Sequence, residues 1–209
     1  MSKKVFYVEE RAVRITNKND ITAIKFAALA INDSSFDDRP EEYLCIRDGK
    51  VIGTDRYRIH CGKLETPIEN GLYAIVKNTK RECIIERIKD DDCYFPQEKI
   101  DKFFAEKSIA PHNAEGRVIE IFEDHKYIPA AIAYLAARNG QAINPQYIID
   151  ACSFVSSGYT VLTLPFDPYE GIHIKHVTYT CGDMEAYIMP IILHEDKIIE
   201  QQAEAEGGD

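Results

Sequence analysis

The side chains able to do chemistry in this sequence are few and scattered. His173-Ile174-Lys175-His176 carries two imidazoles three residues apart. On a strand, positions three apart face opposite sides, so the pair is not expected to share a metal. His60 and Cys61 are neighbours and point apart for the same reason, which argues against a Cys/His nucleophile pair. Asp90-Asp91-Asp92 could hold Mg²⁺, but an acidic turn ending a helix is the commoner meaning, and Asp37-Asp38 reads the same way. There is no phosphate loop, no dinucleotide fingerprint and no nucleophile elbow. No catalytic residue, metal ligand set or cofactor site is assigned.

Composition narrows the function classes further. The 209 residues have room for about one or two domains. Hydrophobic content of 45% and charged content of 29% fit a folded chain with a real core. No apolar run approaches the roughly 20 residues of a membrane span. The segment Met1 to Glu10 turns acidic before an apolar leader core develops, so a cytoplasmic protein is expected. The six cysteines, Cys45, Cys61, Cys83, Cys93, Cys152 and Cys181, form no C-x-x-C and sit mostly beside apolar residues. They read as small core residues rather than a disulfide framework.

The formal net charge is −10, which argues against simple coating of nucleic acid by positive charge. Half of that excess lies at one end. From Glu195 to Asp209 stand Glu195, Asp196, Glu200, Glu204, Glu206 and Asp209 against Lys197, a net of −5. Residues 195–209 therefore read as a poorly ordered acidic tail.

The elements follow from periodicity. Val5 to Ile15 alternates as an opening strand or two, and Asn19-Asp20 offers a helix cap. Ile21, Ile24, Ala28, Leu29 and Ile31 predict a helix over 20–32. Asp48-Gly49 between two β-rich runs, residues 43–46 and 51–54, predicts a hairpin. Residues 57–61 and 72–76 read as further strands. Thr79-Lys80-Arg81-Glu82 has the capping-box form, with Ile84, Ile85 and Ile88 on one face, so a helix is predicted over 79–90. Residues 90–115, with Pro96, Pro111 and Phe103-Phe104, make the best linker. Beyond it come a strand at 117–122, a helix at 129–138 between Pro129 and Gly140, and a helix at 144–154 opened by Asn144-Pro145. Strands at 159–164, 172–180 and 185–193 complete the chain. Strand, helix, strands and helix thus occur twice, which predicts an α+β fold with an antiparallel sheet.

Three segments in this order carry a family resemblance. Gly53-Thr54-Asp55-Arg56-Tyr57-Arg58-Ile59, after the Asp48-Gly49 hairpin, resembles the T-D-x-x-R-hydrophobic signature of the middle domain of bacterial DNA polymerase III beta sliding clamps. Asn144-Pro145-Gln146-Tyr147 resembles the helix start of their last domain. Tyr187-Ile188-Met189-Pro190 resembles the strand that ends a clamp chain. The departures are specific. Arg56 and Tyr57 stand where a Gly-His pair is usual, Ile191-Ile192 replaces a more polar ending, and there is room for two domains rather than three. The resemblance implies a DNA-clamp-like fold of two similar helix-plus-antiparallel-sheet domains, residues 1–106 and 107–194, and a shortened clamp of phage type.

The resemblance also implies function. A clamp is a processivity factor without catalysis of its own. It tethers a DNA polymerase or other replication proteins to double-stranded DNA, which it encloses without reading sequence. Two domains per chain would suit a homo-oligomeric ring, a trimer or a dimer. The peptide-binding pocket of the family would use Thr54, Tyr57, Arg58 and Ile59 on one side and Tyr187, Ile188, Met189, Pro190 and Ile191 on the other. Candidate DNA-facing cations are Lys25, Lys80, Arg81, Arg87, Lys126 and Arg138, with Lys80, Arg81 and Arg87 expected on the 79–90 helix. The helix at 144–154 has no base. A protein that keeps the peptide pocket but encircles nothing, and competes for clamp-binding peptides, is the alternative.

Overall fold

The computed structural model describes residues 11–31, 42–89, 117–122, 127–154, 158–165, 169–177 and 183–191. Within them run β1 Ala12–Ile15, α1 Lys18–Ala28, β2 Leu44–Arg47, β3 Lys50–Thr54, β4 Arg58–Lys63, β5 Gly71–Asn78 and β6 Cys83–Lys89. The rest are β7 Arg117–Phe122, α2 Ile128–Arg138, α3 Pro145–Cys152, β8 Tyr159–Pro165, β9 Ile172–Val177 and β10 Met184–Ile188. The strands form a single antiparallel sheet in the order β1-β6-β5-β2-β3-β4-β10-β9-β8-β7. The earlier and later strands meet where β4 pairs with β10, Met184 opposite Gly62 through Ile188 opposite Arg58. The predicted α+β class is the observed one. Residues 1–10, Asp37-Asp38, Asp90-Asp91-Asp92, the 90–115 linker, Cys93, Lys126, Cys181 and the 195–209 tail lie outside the described residues.

Local chemistry accounts for most elements. Asp48 and Gly49 both take positive φ (50° and 74°), which gives the tight turn the β2–β3 hairpin needs. Asn144 caps α3 by accepting from the Gln146 amide, and Pro145 occupies the first turn, where no amide is missed. Helix α1 starts earlier than predicted. Its cap is Asn17, whose side chain accepts from the amides of Asn19 and Asp20. Asp20 is instead buried and accepts from the amides of Glu65 and Thr66, fixing the chain after β4.

The predicted helix at 79–90 is a correction: the segment is a turn followed by β6. Thr79 does cap, but it caps a hairpin. Its hydroxyl accepts from the amides of Arg81 and Glu82, and its own amide donates to the Glu82 carbonyl at 2.9 Å. Cys83 and Ile85 are then buried while Ile84 and Glu86 are not, the period-2 pattern of a strand. Pairing with both β1 and β5 settles the matter, since strand partners distant in sequence outweigh a local helix signal. The last strand is also shorter than predicted, ending at Ile188. Cys45 is disulfide-bonded, against expectation, whereas Cys83 and Cys152 are free thiols.

The helices cover one face of the sheet. Helix α1 packs on β3 and β4, α2 packs on α3, and α3 reaches β10. Ile21, Ile24 and Ala27 enter a core with Leu44, Ile46, Tyr73 and Ile85. A second core joins Ile132, Ile148, Leu162, Ile174 and Ile188, and it takes in Phe26 from α1. Phe26 therefore belongs to the core of the later strands while its helix lies on the earlier ones. A smaller cluster of Cys45, Ile52, Cys61 and Leu72 also forms. No helix among the described residues is long and apolar enough to cross a membrane.

Two glycines let α1 sit against the sheet backbone. A Cβ at Gly53 would lie 2.0 Å from the Ala27 carbonyl oxygen, and one at Gly62 would lie 2.8 Å from the Ala23 Cβ. Backbone cannot step aside as a side-chain tip can. Gly53→Ala is therefore expected to cost about 3 kcal/mol, the upper range for overpacking, read as a lowered melting midpoint by circular dichroism.

His60 lies fully buried on β4, stacked on Phe26 at 4.5 Å between ring centroids. Its Nδ1 lies 2.9 Å from the Phe26 carbonyl oxygen, so that nitrogen carries the hydrogen and donates. Its Nε2 has no hydrogen-bond partner among the described residues. Burial lowers its pKa from 6.5 to about 4; the charge of Arg58 acts in the same direction, the Phe26 carbonyl against it. The unfolded chain thus takes up this proton first as pH falls. The contribution is complete above pH 6.5 and is lost as pH falls from there toward 4, about 3 kcal/mol over the window. Urea midpoints at pH 7 and pH 4.5 should differ accordingly, and His60→Gln should flatten that part of the profile.

Candidate functional site at the junction of β4 and β10

Between β3 and β4 the chain must reverse direction, and Thr54 and Asp55 supply side-chain acceptors for the amides the turn leaves unpaired. Asp55 Oδ1 accepts from the amides of Tyr57 and Arg58, each at 3.0 Å. Thr54 Oγ1 donates to the Arg58 carbonyl at 2.8 Å and accepts from the Arg56 amide at 3.1 Å. The turn is thereby closed, with Arg56 at φ 76°. The Met189 amide donates to the Tyr57 carbonyl at 2.8 Å, extending the β4–β10 contact past the end of the strand. The Ile191 amide donates to the Ala142 carbonyl at 2.7 Å.

Arg58 holds the junction together. Its Nε donates to Asp55 Oδ2 at 3.0 Å, and its Nη1 donates to Asp150 Oδ2 on α3. Its Nη2 donates to the Leu29 carbonyl just past the end of α1. The guanidinium lies 4.2 Å from the ring centroid of Tyr147, within cation–π range. Gln146 Nε2 donates to the other Asp150 oxygen at 2.7 Å. Burial, and then the Asp55 charge, push the Tyr147 phenol above its ordinary pKa.

The two expected walls are brought together by β-pairing, Ile59 opposite Tyr187 and Arg58 opposite Ile188. Alternation divides their side chains between the two faces. Arg58 and Ile188 lie on the helix side, where Ile188 joins the core, and Ile59 clusters with Cys61 on the other side. Thr54, Tyr187 and Ile188 are buried, and Tyr187 Oη accepts from the Gly171 amide at 2.8 Å. Arg58 is only 8% exposed and is engaged on all sides, so it serves as scaffold rather than rim. Tyr57 at 64%, Met189 at 42% and Ile191 at 53% exposure stand out beside half-buried Pro190. Sequence reasoning missed Asp150 and the stacking of Tyr147. The available signal was their spacing of three, which puts both on one face of the Asn144-capped helix.

The expected DNA-facing cations are dispersed. Lys25 is half-buried in the last turn of α1, and Arg138 is exposed in the last turn of α2. Lys80 and Arg81 stand exposed in the β5–β6 turn, not on a helix. Arg87 is on β6, where it donates to Glu69 at 2.6 Å and to the Asn70 carbonyl at 2.7 Å.

The histidines separate as expected. His173 meets Glu185 at 3.1 Å, whereas His176 contacts Thr160 Oγ1 at 2.8 Å and the Ala151 carbonyl at 2.6 Å. Burial pushes the Glu185 carboxyl upward, but His173 and Lys175 outweigh it and hold it below its ordinary pKa. Among the described residues, no group of three or more His, Cys, Asp or Glu could hold a metal ion.

Comparison with protein-family models and with curated proteins returns no match. Solved structures do match. The Helicobacter pylori beta clamp in complex with diflunisal superposes with a TM-score of 0.54 at 13% identity, over 91% of this chain and 69% of that one. The DNA polymerase III subunit beta of Pseudomonas aeruginosa gives 0.53 at 12%, over 91% and 70%. That of Thermotoga maritima gives 0.53 at 10%, over 88% and 66%. At these identities the likeness is one of fold, and the fold of this chain is that of the bacterial DNA polymerase III beta sliding clamps.

Proposed function

We propose that this chain is a non-catalytic, sliding-clamp-like processivity factor that tethers a DNA polymerase or other replication proteins to DNA. It does so through a peptide-binding groove at the β4–β10 junction. The observation that carries the reading is the exposed apolar rim formed by Tyr57, Met189 and Ile191, joined through the Met189–Tyr57 backbone hydrogen bond. Exposed apolar side chains on a braced backbone favour an extended peptide with apolar anchors, and the Met thioether adapts to their shape. In this reading Tyr57, Ile59, Met189, Pro190 and Ile191 touch the peptide. Thr54, Arg58, Tyr187 and Ile188 hold the walls in place.

The test is a fluorescence-anisotropy titration with a clamp-binding peptide. Met189→Asp is expected to weaken binding by at least roughly tenfold, about 1.4 kcal/mol, because it puts a charge into an apolar contact. Unchanged affinity in this variant would remove the groove assignment.

Encirclement of double-stranded DNA by a homo-oligomer, with Lys25, Lys80, Arg81, Arg87, Lys126 and Arg138 toward the DNA, is the fuller form of the proposal. The second reading is a peptide-binding module that encloses nothing. It is favoured by α3, which carries no base, and by the engagement of Arg87 with Glu69. Sedimentation and DNA retention separate the two. A ring should sediment as a dimer or trimer and stay on closed circular DNA but slide off linear DNA. A monomer retained by neither leaves the module.

A further inference from the structure

The edge of the sheet at β1, β6 and β5 carries a group of cations on the face turned away from the helices. Val13, Ile15, Cys83 and Ile85 point to the core shared with α1, so by alternation Arg14, Glu82 and Ile84 lie on the other face. Ile84 is opposite Arg14 on β1 and opposite Lys77 on β5, which puts the two cations in one row across three strands. Arg14 Nη2 and Lys77 Nζ both donate to Glu82, at 2.7 and 3.0 Å. Lys80 and Arg81 stand exposed in the β5–β6 turn just beyond. Neither enters an ion pair among the described residues.

Four cations thus gather around one carboxylate. Lys77 and then Arg14 hold Glu82 below its ordinary pKa, so it is ionised at neutral pH and cancels one charge of the four. Glu86 is the next acid on this face of β6, two residues past Ile84 and further from the turn. In a chain of net charge −10 this is a local reversal of sign. Its extent decides what it fits. Strands two apart lie roughly 10 Å from each other, so Arg14 and Lys77, with the turn beyond them, span more than a single carboxylate or phosphate. Val76, Asn78, Thr79 and Ile84 stand among the cations and offer no aromatic ring on which a base could stack. A docked peptide draws most of its affinity from apolar anchors, and Ile84 between the two cations is half-buried.

We infer that this face of the β1–β6–β5 edge binds the phosphate backbone of a nucleic acid, without reading its sequence and outside any enclosed duplex. The inference goes beyond the groove and stands without it. Lys80 and Arg81 are common to this reading and to encirclement. Arg14 and Lys77 separate the two, because they face away from the helices. Phosphate contacts need only placed cations, and they sum along a chain of charges. An exposed ion pair within the protein is worth little, whereas a row of cations facing a polyanion releases many counterions at once.

The experiment is a fluorescence-anisotropy titration of the full chain with a labelled oligo-dT strand at low salt, repeated as salt is raised. Arg14→Gln/Lys77→Gln should weaken binding roughly tenfold and lower the slope of log affinity against log salt by about 1.4, two phosphate contacts at about 0.7 each. Both side chains are exposed, so the melting midpoint should stay close to wild type. Glu82→Gln should instead strengthen binding about threefold, since it removes the carboxylate that the two cations share. No binding by wild type at low salt, an unchanged slope in Arg14→Gln/Lys77→Gln, or a loss carried by Lys25→Gln/Arg138→Gln in its place, overturns the assignment. Tighter binding of a poly-glutamate peptide than of oligo-dT, lost in the same double variant, also overturns it and gives the face to acidic protein segments. None of these outcomes bears on the groove, whose titration uses a peptide with apolar anchors.

Discussion

A single cation, the Arg58 guanidinium, ties together parts of the chain that are otherwise separate. It meets the β3–β4 turn through Asp55, helix α3 through Asp150 and the end of α1 through the Leu29 carbonyl, and it lies against the Tyr147 ring. Arginine suits this position because its planar fork can serve several acceptors at once while remaining charged. Burying it beside two carboxylates is tolerable because each of its three nitrogens donates to an acceptor. The arrangement then orders everything near it. The turn cannot open without freeing Asp55, and α3 cannot shift without exposing Asp150. The exposed Tyr57 and Met189 stand on backbone that this network keeps still.

The sheet transmits the same constraint through its backbone. β4 is shared: it pairs with β3 on one edge and with β10 on the other. On the face toward the helices its alternate residues are Arg58, His60 and Gly62, each used differently. Arg58 pairs with carboxylates, His60 stacks on Phe26, and Gly62 has no side chain, so that Ala23 of α1 can approach. Phe26 in turn enters the core of the later strands. A displacement of α1 would therefore disturb the glycine contacts, the buried imidazole and the second core together. This coupling explains why the junction residues are mostly buried even though they border the surface.

How much of this was legible in the sequence depends on how local the cause was. The Asp48-Gly49 hairpin and the Asn144-Pro145 helix start are encoded by neighbours, and both formed as read. The 79–90 segment was misread because Thr79 with Glu82 can close a hairpin as well as start a helix. Ile84 and Ile88 match a helical stripe, but the buried positions are Cys83 and Ile85, which follow a strand. The deciding fact was pairing with β1, about 70 residues earlier, which no local pattern reports. The candidate site divided in the same way. Thr54 to Ile59 and Tyr187 to Pro190 were visible as segments. The Arg58–Asp150 pair spans 92 positions, a contact that no local pattern reports.

The two activities that the clamp fold supports elsewhere place different demands on a chain. Enclosing DNA needs cations arrayed on the helical face, because the attraction is to phosphates and is summed over many contacts. Holding a peptide needs only a small, fixed apolar surface with one or two polar determinants. In this chain the basic residues of the described helices are Lys18, Lys25 and Arg138, and α3 has none. Arg87 is neutralised locally by Glu69, and Arg58 by two carboxylates. With a net charge of −10, any DNA attraction must come from local placement rather than from the chain as a whole. The demands of the proposed groove are of the other kind, and they fall on a handful of residues around one turn. That turn is also where the chain departs from the Gly-His pair usual in the resembling clamps, with Arg56 and Tyr57 in its place. A change confined to this turn leaves the buried scaffold of Thr54, Asp55 and Arg58, and so the fold it holds, in place.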